Sequence, residues 1–478
     1  MPFTPGIYRS YDIRGVVPDE LDATDAETIG RAFVTFLTGD RGQGTGSRLT
    51  VLVARDMRTT GPELHAALVR GLTQQGADVV DVGMATTPLF YYSVWQSKAD
   101  AGVMVSASHN PGKYNGFKMT REQAKPISKD TGLLAIRDLV EKMSFRGAED
   151  DEAIASSRGL LRSARNDETG RVGTVSAADF SDSYLDYATA GAEQIGSLRV
   201  VIDAGNGMGG LLLPRVLERM PQLQATRMFF ELDGSFPNHE ANPLKEENMH
   251  ALQERVKTEK AQIGIAFDGD ADRVGFTDEH GVTVPGDLIT ALISQEVLRE
   301  KPGATILYDL RSSWATKEAI EAAGGIPKMS RVGHSYIKEL MRKETAAFAG
   351  EMSSHFYFQE YYAESAIRAM VLLLRLMSES GQSLSQLVAP LQKYAKIPET
   401  NFEIEDKASI LAEVKRRYTD GKQFELDGLS VEYADWWFNL RASGTEPLLR
   451  LNMEARTPEL LEQKKTELYA VLGEPSQH

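Results

Sequence analysis

LTVLVARDMRTTGPELHAALVRGLTQQGADVVDVG, residues 49–83, holds two short apolar runs on either side of a helical stripe. The run 49–54 is continuously apolar, as in a strand covered on both faces. Leu64, Ala67, Leu68 and Leu72 follow at three- and four-residue spacing, which is one face of a helix. Gly76 stands where a left-handed residue would close that helix. Residues 77–83 read as the next strand and AGVMVS (101–106) as a third. Strand, helix and strand in alternation require a parallel sheet with right-handed crossovers, so the chain opens as an α/β protein.

The same reading extends in both directions. Upstream, Thr24 and Glu27 form a capping box ahead of Ala26, Ile29, Phe33, Phe36 and Leu37 at helical spacing. GDRGQGTGSR (39–48) reads as a flexible loop. A second α/β unit contains LRVVIDAGNGMGG (198–210) and AQIGIAFDGDADRVGF (261–276). A third contains TILYDLRSS (305–313), a helix over 314–323, AAFAGEMSS (346–354) and a helix at 363–379 apolar on nearly every side. Residues 397–400 (IPET) read as a linker. The remainder changes character: 429–434, 436–443 and 448–455 are strand-like, and a helix follows, opened by Thr457 and Pro458 and closed by Gly473. That pattern predicts α+β with an antiparallel sheet. Residues 144–175 are polar and acidic and read as a surface excursion near the first boundary. The expected domains are 1–155, 172–281, 282–392 and 398–478: three α/β domains with mixed, mostly parallel sheets, then one α+β domain.

Composition bounds the function. The chain has 478 residues, 42% apolar and 25% charged, enough for large cores. Its formal charge of −15 opposes general nucleic-acid binding, which phosphate neutralisation drives. There is no cysteine, which removes disulfides, thiolate catalysis and cysteine-ligated metals. MPFTPGIYRSYDIRG lacks a basic start followed by an apolar run, so no signal peptide is expected. The longest apolar stretch, IRAMVLLLRLM, is interrupted by Arg368 and Arg375 and is too short to span a bilayer. The expectation is a cytoplasmic protein without a membrane partner.

Four motifs carry chemistry. Asp268, Asp270 and Asp272 alternate in DGDADR directly after the run IGIAF. Three carboxylates on a curled loop suit a hard divalent cation, and Gly269 and Ala271 leave room for the curl. An EF-hand would place Asp268, Asp270, Asp272 and Glu279 at its ligand positions. It needs a glycine where Arg273 stands, and a helix rather than a strand leading in. Arg273 beside the carboxylates suggests an approaching phosphate. The second motif, SASHNPG (106–112), closes another apolar strand and presents Ser108 as a nucleophile or phosphorylation site; Asn115, Gly116 and Lys118 follow. The third, RASGTEP (441–447), combines a guanidinium, two hydroxyls and a glycine turn that can cradle a phosphate. The fourth, GEMSSH (350–355), offers a glutamate and a hydroxyl for sugar hydroxyls. Taken singly, the last three also read as ordinary turns, and RVGHS (331–335) and YDIRG (11–15) are each weak signals alone. DAGNG (203–207) lacks the register of a dinucleotide fingerprint and reads as a structural turn.

In order along nearly the whole chain, YDIRG, SASHNP, DGDADR, GEMSSH and RASGTEP resemble the α-D-phosphohexomutase family, in its phosphomannomutase/phosphoglucomutase branch. The resemblance implies four domains around a central cleft. It implies a phosphoserine at Ser108, and Mg²⁺ held by that phosphate with Asp268, Asp270 and Asp272. Glu351 and Ser353 would bind sugar hydroxyls, while Arg441, Ser443, Gly444, Thr445 and Arg450 would grip the non-reacting phosphate. Tyr11 and Arg14 would contact substrate, and His109, Lys118, Arg273, His334 and His355 would assist catalysis. Ser354 stands where the branch usually has glycine, and Arg311 where it often has lysine, which argues against an acid–base role there. The implied activity interconverts hexose 1- and 6-phosphates of mannose, glucose or both, with hexose 1,6-bisphosphate as activator. The partners would be small sugar phosphates, and the assembly a monomer or weak homodimer. Two other readings compete: a metal-dependent sugar phosphatase with an aspartyl nucleophile, and a non-catalytic sugar-phosphate binder. The phosphatase leaves SASHNP and RASGTEP without a task.

Overall fold

A computed structural model describes residues 4–41, 48–156, 172–443 and 448–476. The first sheet is ordered Ile13–Val16, Tyr114–Arg121, Ala101–Val105, Thr50–Arg55, Asp78–Met84, Val175–Ala177. Its centre is parallel, since Thr50–Arg55 pairs in parallel with both Asp78–Met84 and Ala101–Val105. The continuous apolar runs read from the sequence are fully buried here, with Val51, Leu52, Val53, Val103 and Val105 inaccessible. The helix Gly61–Gln74 returns the chain between two of these strands. It ends as expected: Gly76 has φ 91°, and its N–H donates to the Thr73 carbonyl. The edge strand Ile13–Val16 runs antiparallel to Tyr114–Arg121 and sets YDIRG beside KYNGFK.

Three further sheets follow. One is ordered Thr283–Val284, Val274–Asp278, Ile263–Phe267, Arg199–Asp203, Gln224–Met228. The next runs through Ile326–Ser330, Thr305–Asp309, Phe348–Gly350 and Phe356–Phe358. The last is antiparallel, with Ala395–Lys396, Leu448–Ala455, Trp436–Ala442, Leu429–Glu432 and Lys422–Phe424 in line. The helix Pro458–Leu472 closes it, capped by Thr457, whose hydroxyl accepts from the Leu460 N–H, and ended by Gly473 at φ 88°. So the expected α/β sequence with a final α+β sheet is present. By packing the chain forms two compact units: Met1–Thr283 with Glu360–Val371, and Val284–Gln359 with Leu372–His478.

Four local expectations are corrected. The first helix begins at Ala23, one residue before Thr24. Its cap is Asp22, which accepts from the N–H groups of Thr24 and Asp25, while Asp25 accepts from the Asp22 N–H. Glu27 instead faces Arg31 and Arg70. The segment 144–175 is not uniformly irregular, because the helix Leu133–Ser156 runs into it and Val175–Ala177 pairs with the first sheet. That strand was expected within the second domain, but the free edge of Asp78–Met84 takes it up. The supposed linker at 397–400 is flanked by pairing strands: Ala395–Lys396 and Thr400–Glu403 both hydrogen-bond to Leu448–Ala455.

Candidate active site

In the first unit the loop 268–273 joins two antiparallel strands and closes on the pair Phe267–Val274. The Asp268 carboxylate makes the curl by accepting the N–H groups of Asp272 and Arg273, both at 3.1 Å. Ala271 takes a left-handed φ of 59°. The glycine has a different purpose from the one its small size first suggests. A Cβ on Gly269 would lie 2.5 Å from the Ser108 carbonyl oxygen, so Gly269 allows two loops to touch. The three aspartates are buried, and one carboxylate oxygen of each lies within 4.8 Å of the others. Burial and then repulsion from Asp272 and Asp270 raise the Asp268 pKa well above its ordinary value. Lys118 offsets part of this charge, with Nζ 2.6 Å from Asp270 and 2.8 Å from Asp272. Thr87 donates to Asp270 at 2.5 Å. Asp270 Oδ1 remains buried with no hydrogen-bond partner among the described residues. An all-oxygen donor set with an unsatisfied buried carboxylate oxygen fits a hard divalent cation.

Ser108 lies against this loop, with Oγ 3.2 Å from Asp268 Oδ2 and 3.2 Å from His109 Nδ1. Its φ of 52° is unusual for a residue with a side chain. Burial, reinforced by the charges of Arg273 and Arg14, holds the His109 pKa well below its ordinary value. Arg14 joins the group by donating to Asn110 Oδ1 at 2.5 Å and pairing with Asp12. Arg273 Nε stands 4.0 Å from Asp268 Oδ2. Tyr11 is half-buried in the bend before Ile13–Val16. DAGNG is a structural turn, as read: the Gly207 N–H donates to the Ala204 carbonyl at 2.8 Å.

The sequence reading missed what holds the Ser108 loop. Arg58 is completely buried. Its guanidinium donates to the carbonyls of Ser108 (2.7 Å), Asn110 (2.6 Å), Pro111 (2.9 Å) and Tyr114 (2.9 Å), and its Nε to Asp56 (3.2 Å). The only prior signal was an Asp-x-Arg directly after a buried strand.

In the second unit Glu351 is buried at the end of Phe348–Gly350. Its Oε1 accepts the Gly333 N–H at 3.0 Å, and its Oε2 accepts the Tyr357 hydroxyl at 2.5 Å and faces His355 Nδ1 at 3.2 Å. Burial would raise its pKa, yet His355, Arg311 and Tyr357 hold it well below the usual carboxylate range. Gly333 precedes His334, the first residue of the helix His334–Glu344, so Glu351 ties the RVGHS loop to GEMSSH. Ser353 Oγ is 3.0 Å from His355 Nδ1. Ser354 is buried at φ 62°, a conformation glycine adopts at less cost. Arg311 is pinned on Asp309 through Nε (3.2 Å) and a terminal nitrogen (2.7 Å). Burial opposes its charge, but Asp309 outweighs that and raises its pKa, so Arg311 stays protonated. Arg441 lies directly opposite Arg450 across the last sheet. Ser443 follows the strand, and its N–H donates to the Leu448 carbonyl. Gly444 and Thr445 lie outside the described residues.

Models of the phosphoglucomutase/phosphomannomutase family match four consecutive stretches: alpha/beta/alpha domain I over 6–147, II over 182–281, III over 285–394 and the C-terminal domain over 399–471. A protein of Xanthomonas campestris pv. campestris described as "Phosphohexose mutases" is 41% identical over 465 residues, covering 96% of this chain and 97% of its own length. A phosphomannomutase of Salmonella montevideo is 37% identical over 476 residues, 95% of this chain and 98% of its own. The crystal structure of a phosphoglucomutase/phosphomannomutase family protein from Burkholderia thailandensis superimposes with a TM-score of 0.82 at 31% identity, covering 100% of this chain and 99% of the other. The chain belongs to the phosphoglucomutase/phosphomannomutase family. No helix among the described residues is long and apolar enough to cross a membrane.

Proposed function

We propose that this protein is a phosphohexomutase that interconverts the 1- and 6-phosphates of mannose, glucose or both through a phosphoserine at Ser108. The observation that carries the reading is the Ser108 loop itself, held in left-handed backbone by Arg58 with Oγ beside the acidic loop. In the forward step a sugar hydroxyl oxygen bonds to the phosphorus on Ser108 as the bond from phosphorus to Oγ breaks. The hydroxyl proton passes to a basic group of the site, and the sugar leaves this step as hexose 1,6-bisphosphate. The reverse transfer from the other end of the sugar restores phospho-Ser108. Lys118, Arg14 and Arg273 supply fixed positive charge to the transferring group. Asp268, Asp270 and Asp272, with an oxygen of the Ser108 phosphate, are the residues that would hold Mg²⁺. The ion's role would be to neutralise phosphoryl charge.

His109 is positioned to hydrogen-bond the Ser108 oxygen, while His334 and His355 are assigned to the sugar side. Glu351 and Ser353 would bind sugar hydroxyls, and Tyr11 would contact substrate. Arg441, Ser443, Gly444, Thr445 and Arg450 would hold the phosphate that does not react. On this reading the segments 1–155, 172–281, 282–392 and 398–478 each supply one of these loops. Added hexose 1,6-bisphosphate would activate the enzyme by phosphorylating Ser108. Its place would be the cytoplasm, as a monomer or weak homodimer. The deciding experiment is intact mass before and after incubation with excess hexose phosphate, together with turnover of Ser108→Ala. A single phosphoryl group at Ser108, and turnover lost in the variant, are expected. Phosphate mapping only to other residues, or full turnover by Ser108→Ala, would sink the reading.

A further inference from the structure

Strand register gives the last sheet a second apolar face. Lys422 pairs with Glu432, Phe424 with Ser430, and Glu432 with Trp437, so these five side chains share one side. The domain's own core is built around Val431, Phe438 and Leu440 on the other side. In the sheet of Thr305–Asp309, Tyr308 is level with Met329. Between the two sheets lies a cavity of about 580 Å³, within the range of small-molecule sites. Tyr308, Trp314 and Met329 wall it on one side, and Phe424, Leu426 and Trp437 on the other. Neither Glu351, Ser353, His334, His355 nor Arg441 lines it, so it is separate from the sugar and phosphate loops.

The walls are set before any ligand arrives. Trp314 Nε1 donates to Glu432 at 3.0 Å, and Trp437 Nε1 to Glu454 at 3.1 Å. Rings fixed in this way lose little freedom on binding. One polar atom of the lining is unmatched. Ser312 is only 6% exposed, and its Oγ has no hydrogen-bond partner among the described residues. A buried hydroxyl left so costs free energy that a ligand would return. Tyr308 adds a second neutral hydroxyl, because burial, then the charges of Glu432 and Glu321, push its pKa up to about 12. The lining also holds two exposed cations, Lys317 and Lys422. Their ion pairs are loose, 3.7 Å to Glu321 and 3.3 Å to Glu432. The carboxylates of the lining are already engaged: Glu432 by Trp314 and Lys422, and Glu425 by Lys415 at 2.5 Å.

We propose that this cavity is a regulatory site for a planar aromatic anion, with its ring between Tyr308, Trp314, Phe424 and Trp437 and its charge at Lys317 and Lys422. An acceptor on the ring would meet the Ser312 hydroxyl. A nucleotide and an aromatic carboxylic acid share this chemistry. The route to the sugar loop is short. Asp427 follows the wall residue Leu426, and its Oδ2 accepts the Val332 N–H at 3.2 Å. The next residue, Gly333, donates to Glu351 at 3.0 Å. A ligand that displaces the turn at 425–428 therefore pulls on the residues that hold Glu351. Binding stands apart from the mutase reading, and only its effect on turnover rests on that reading.

The test titrates 8-anilinonaphthalene-1-sulfonate, itself an aromatic anion, into the full chain and follows its fluorescence. One saturable site is expected. Adenosine 5′-monophosphate and 2-naphthoate then compete for it, and the one that displaces the dye identifies the source. Lys317→Gln with Lys422→Gln changes only exposed side chains. It should weaken the dye about tenfold and leave kcat and KM measured without dye unchanged. Met329→Trp fills the cavity and should abolish binding; the lysine variant supplies the answer should Met329→Trp fail to fold. Saturating dye should raise KM for glucose 1-phosphate about fivefold in wild type. By reciprocity, saturating glucose 1-phosphate should weaken the dye by that factor and no further. The proposal is overturned if folded variants bind the dye as wild type does, or if neither competitor displaces it, which would mark an adventitious additive only. It is equally overturned if glucose 1-phosphate excludes the dye completely, which would place the dye in the sugar cleft, or if saturating dye leaves KM unmoved in an active enzyme. The dye titrations need no turnover, so they judge the cavity even were the wild type inert toward every hexose phosphate.

Discussion

The Arg58 guanidinium donates to the Ser108 carbonyl oxygen at 2.7 Å and to three more carbonyls of the same loop, 110, 111 and 114, within 2.9 Å. A planar five-donor group thus substitutes for the ladder that a strand would supply, and Ser108 is held at φ 52°. Arg58→Lys keeps the charge but cannot reach four carbonyls at once. The loop should relax and Ser108 lose its register. We expect kcat to fall by roughly ten- to a hundredfold, since small misplacements of a reacting group cost that much. Circular dichroism would check that the variant is folded. A folded Arg58→Lys enzyme with wild-type kcat would show that the loop needs no such anchor.

The acidic loop leads to a second expectation. Three carboxylates buried together, with Lys118 and Arg273 beside them, are held at an electrostatic cost that a divalent cation would relieve. Chelation should abolish turnover, and added Mg²⁺ should restore it. Asp270→Asn should lower turnover by several orders of magnitude, on the order of 3–5 kcal/mol at the transition state, while the protein stays folded. Undiminished activity in excess chelator would contradict the carboxylate cage.

Much of this was legible in the chain itself. The convergence of Asp268, Asp270 and Asp272 follows from spacing alone, because alternate carboxylates after a buried strand must curl to leave the sheet. The strand 448–455 and the helix after Thr457 were readable to the residue, since local signals of apolar run, cap and glycine stop agree there. What was hidden depends on contacts distant in sequence. Arg58 gives no signal of its own, because arginine is rarely buried, and four of its five acceptors come only with the folded loop, the fifth being Asp56. Glu399 sits beside Pro398 in what reads as a linker. Its three cations come from 311, 441 and 450; sheet pairing brings 441 and 450 beside it, and Arg311 arrives from a different sheet. The Asp22 cap was missed because two overlapping cap signals lie within three residues.

His239 supplies a pH dependence. Its Nε2 is 3.0 Å from Asp203 and its Nδ1 2.8 Å from the Glu240 carbonyl, so the doubly protonated ring satisfies both acceptors. Burial opposes the charge, but Asp203 prevails and the pKa is raised. A raised folded-state value contributes stability that is fully present below the unfolded value of about 6.5 and is lost as pH rises through the folded value. The melting temperature should therefore fall between about pH 6 and pH 8.5 more steeply in wild type than in His239→Gln, which has no proton to lose. Parallel curves for the two proteins would remove His239 from the account.

The last prediction concerns sugar choice. Glucose and mannose phosphates differ only at C2. Glu351 and Ser353, assigned to other hydroxyls, cannot read that difference. The preference should be small, about 1 kcal/mol or fivefold in kcat/KM, as for features a site does not hydrogen-bond. The structure sharpens what Glu351→Gln would do. Both carboxylate oxygens already accept protons, one from the Gly333 N–H and the other from the Tyr357 hydroxyl. An amide must turn its NH₂ toward one of these donors. That leaves a buried donor unmatched and loosens the tie between GEMSSH and the loop before His334, at a cost of roughly 1–3 kcal/mol. The loss should fall on both sugars equally, since the damaged contact is shared. Tyr357→Phe is the control: it removes one donor, keeps the carboxylate, and should reduce kcat/KM for both sugars by a smaller, equal factor. Ser354, buried at φ 62°, adds a side chain where glycine would leave space, so a sugar N-acetylated at C2 should be the poorest of the three substrates. The measurement is kcat/KM for glucose 1-phosphate, mannose 1-phosphate and N-acetylglucosamine 1-phosphate on wild type, Glu351→Gln and Tyr357→Phe. Damage confined to one of the first two sugars would mean that Glu351 reads C2 after all, and dual specificity would have to be given up.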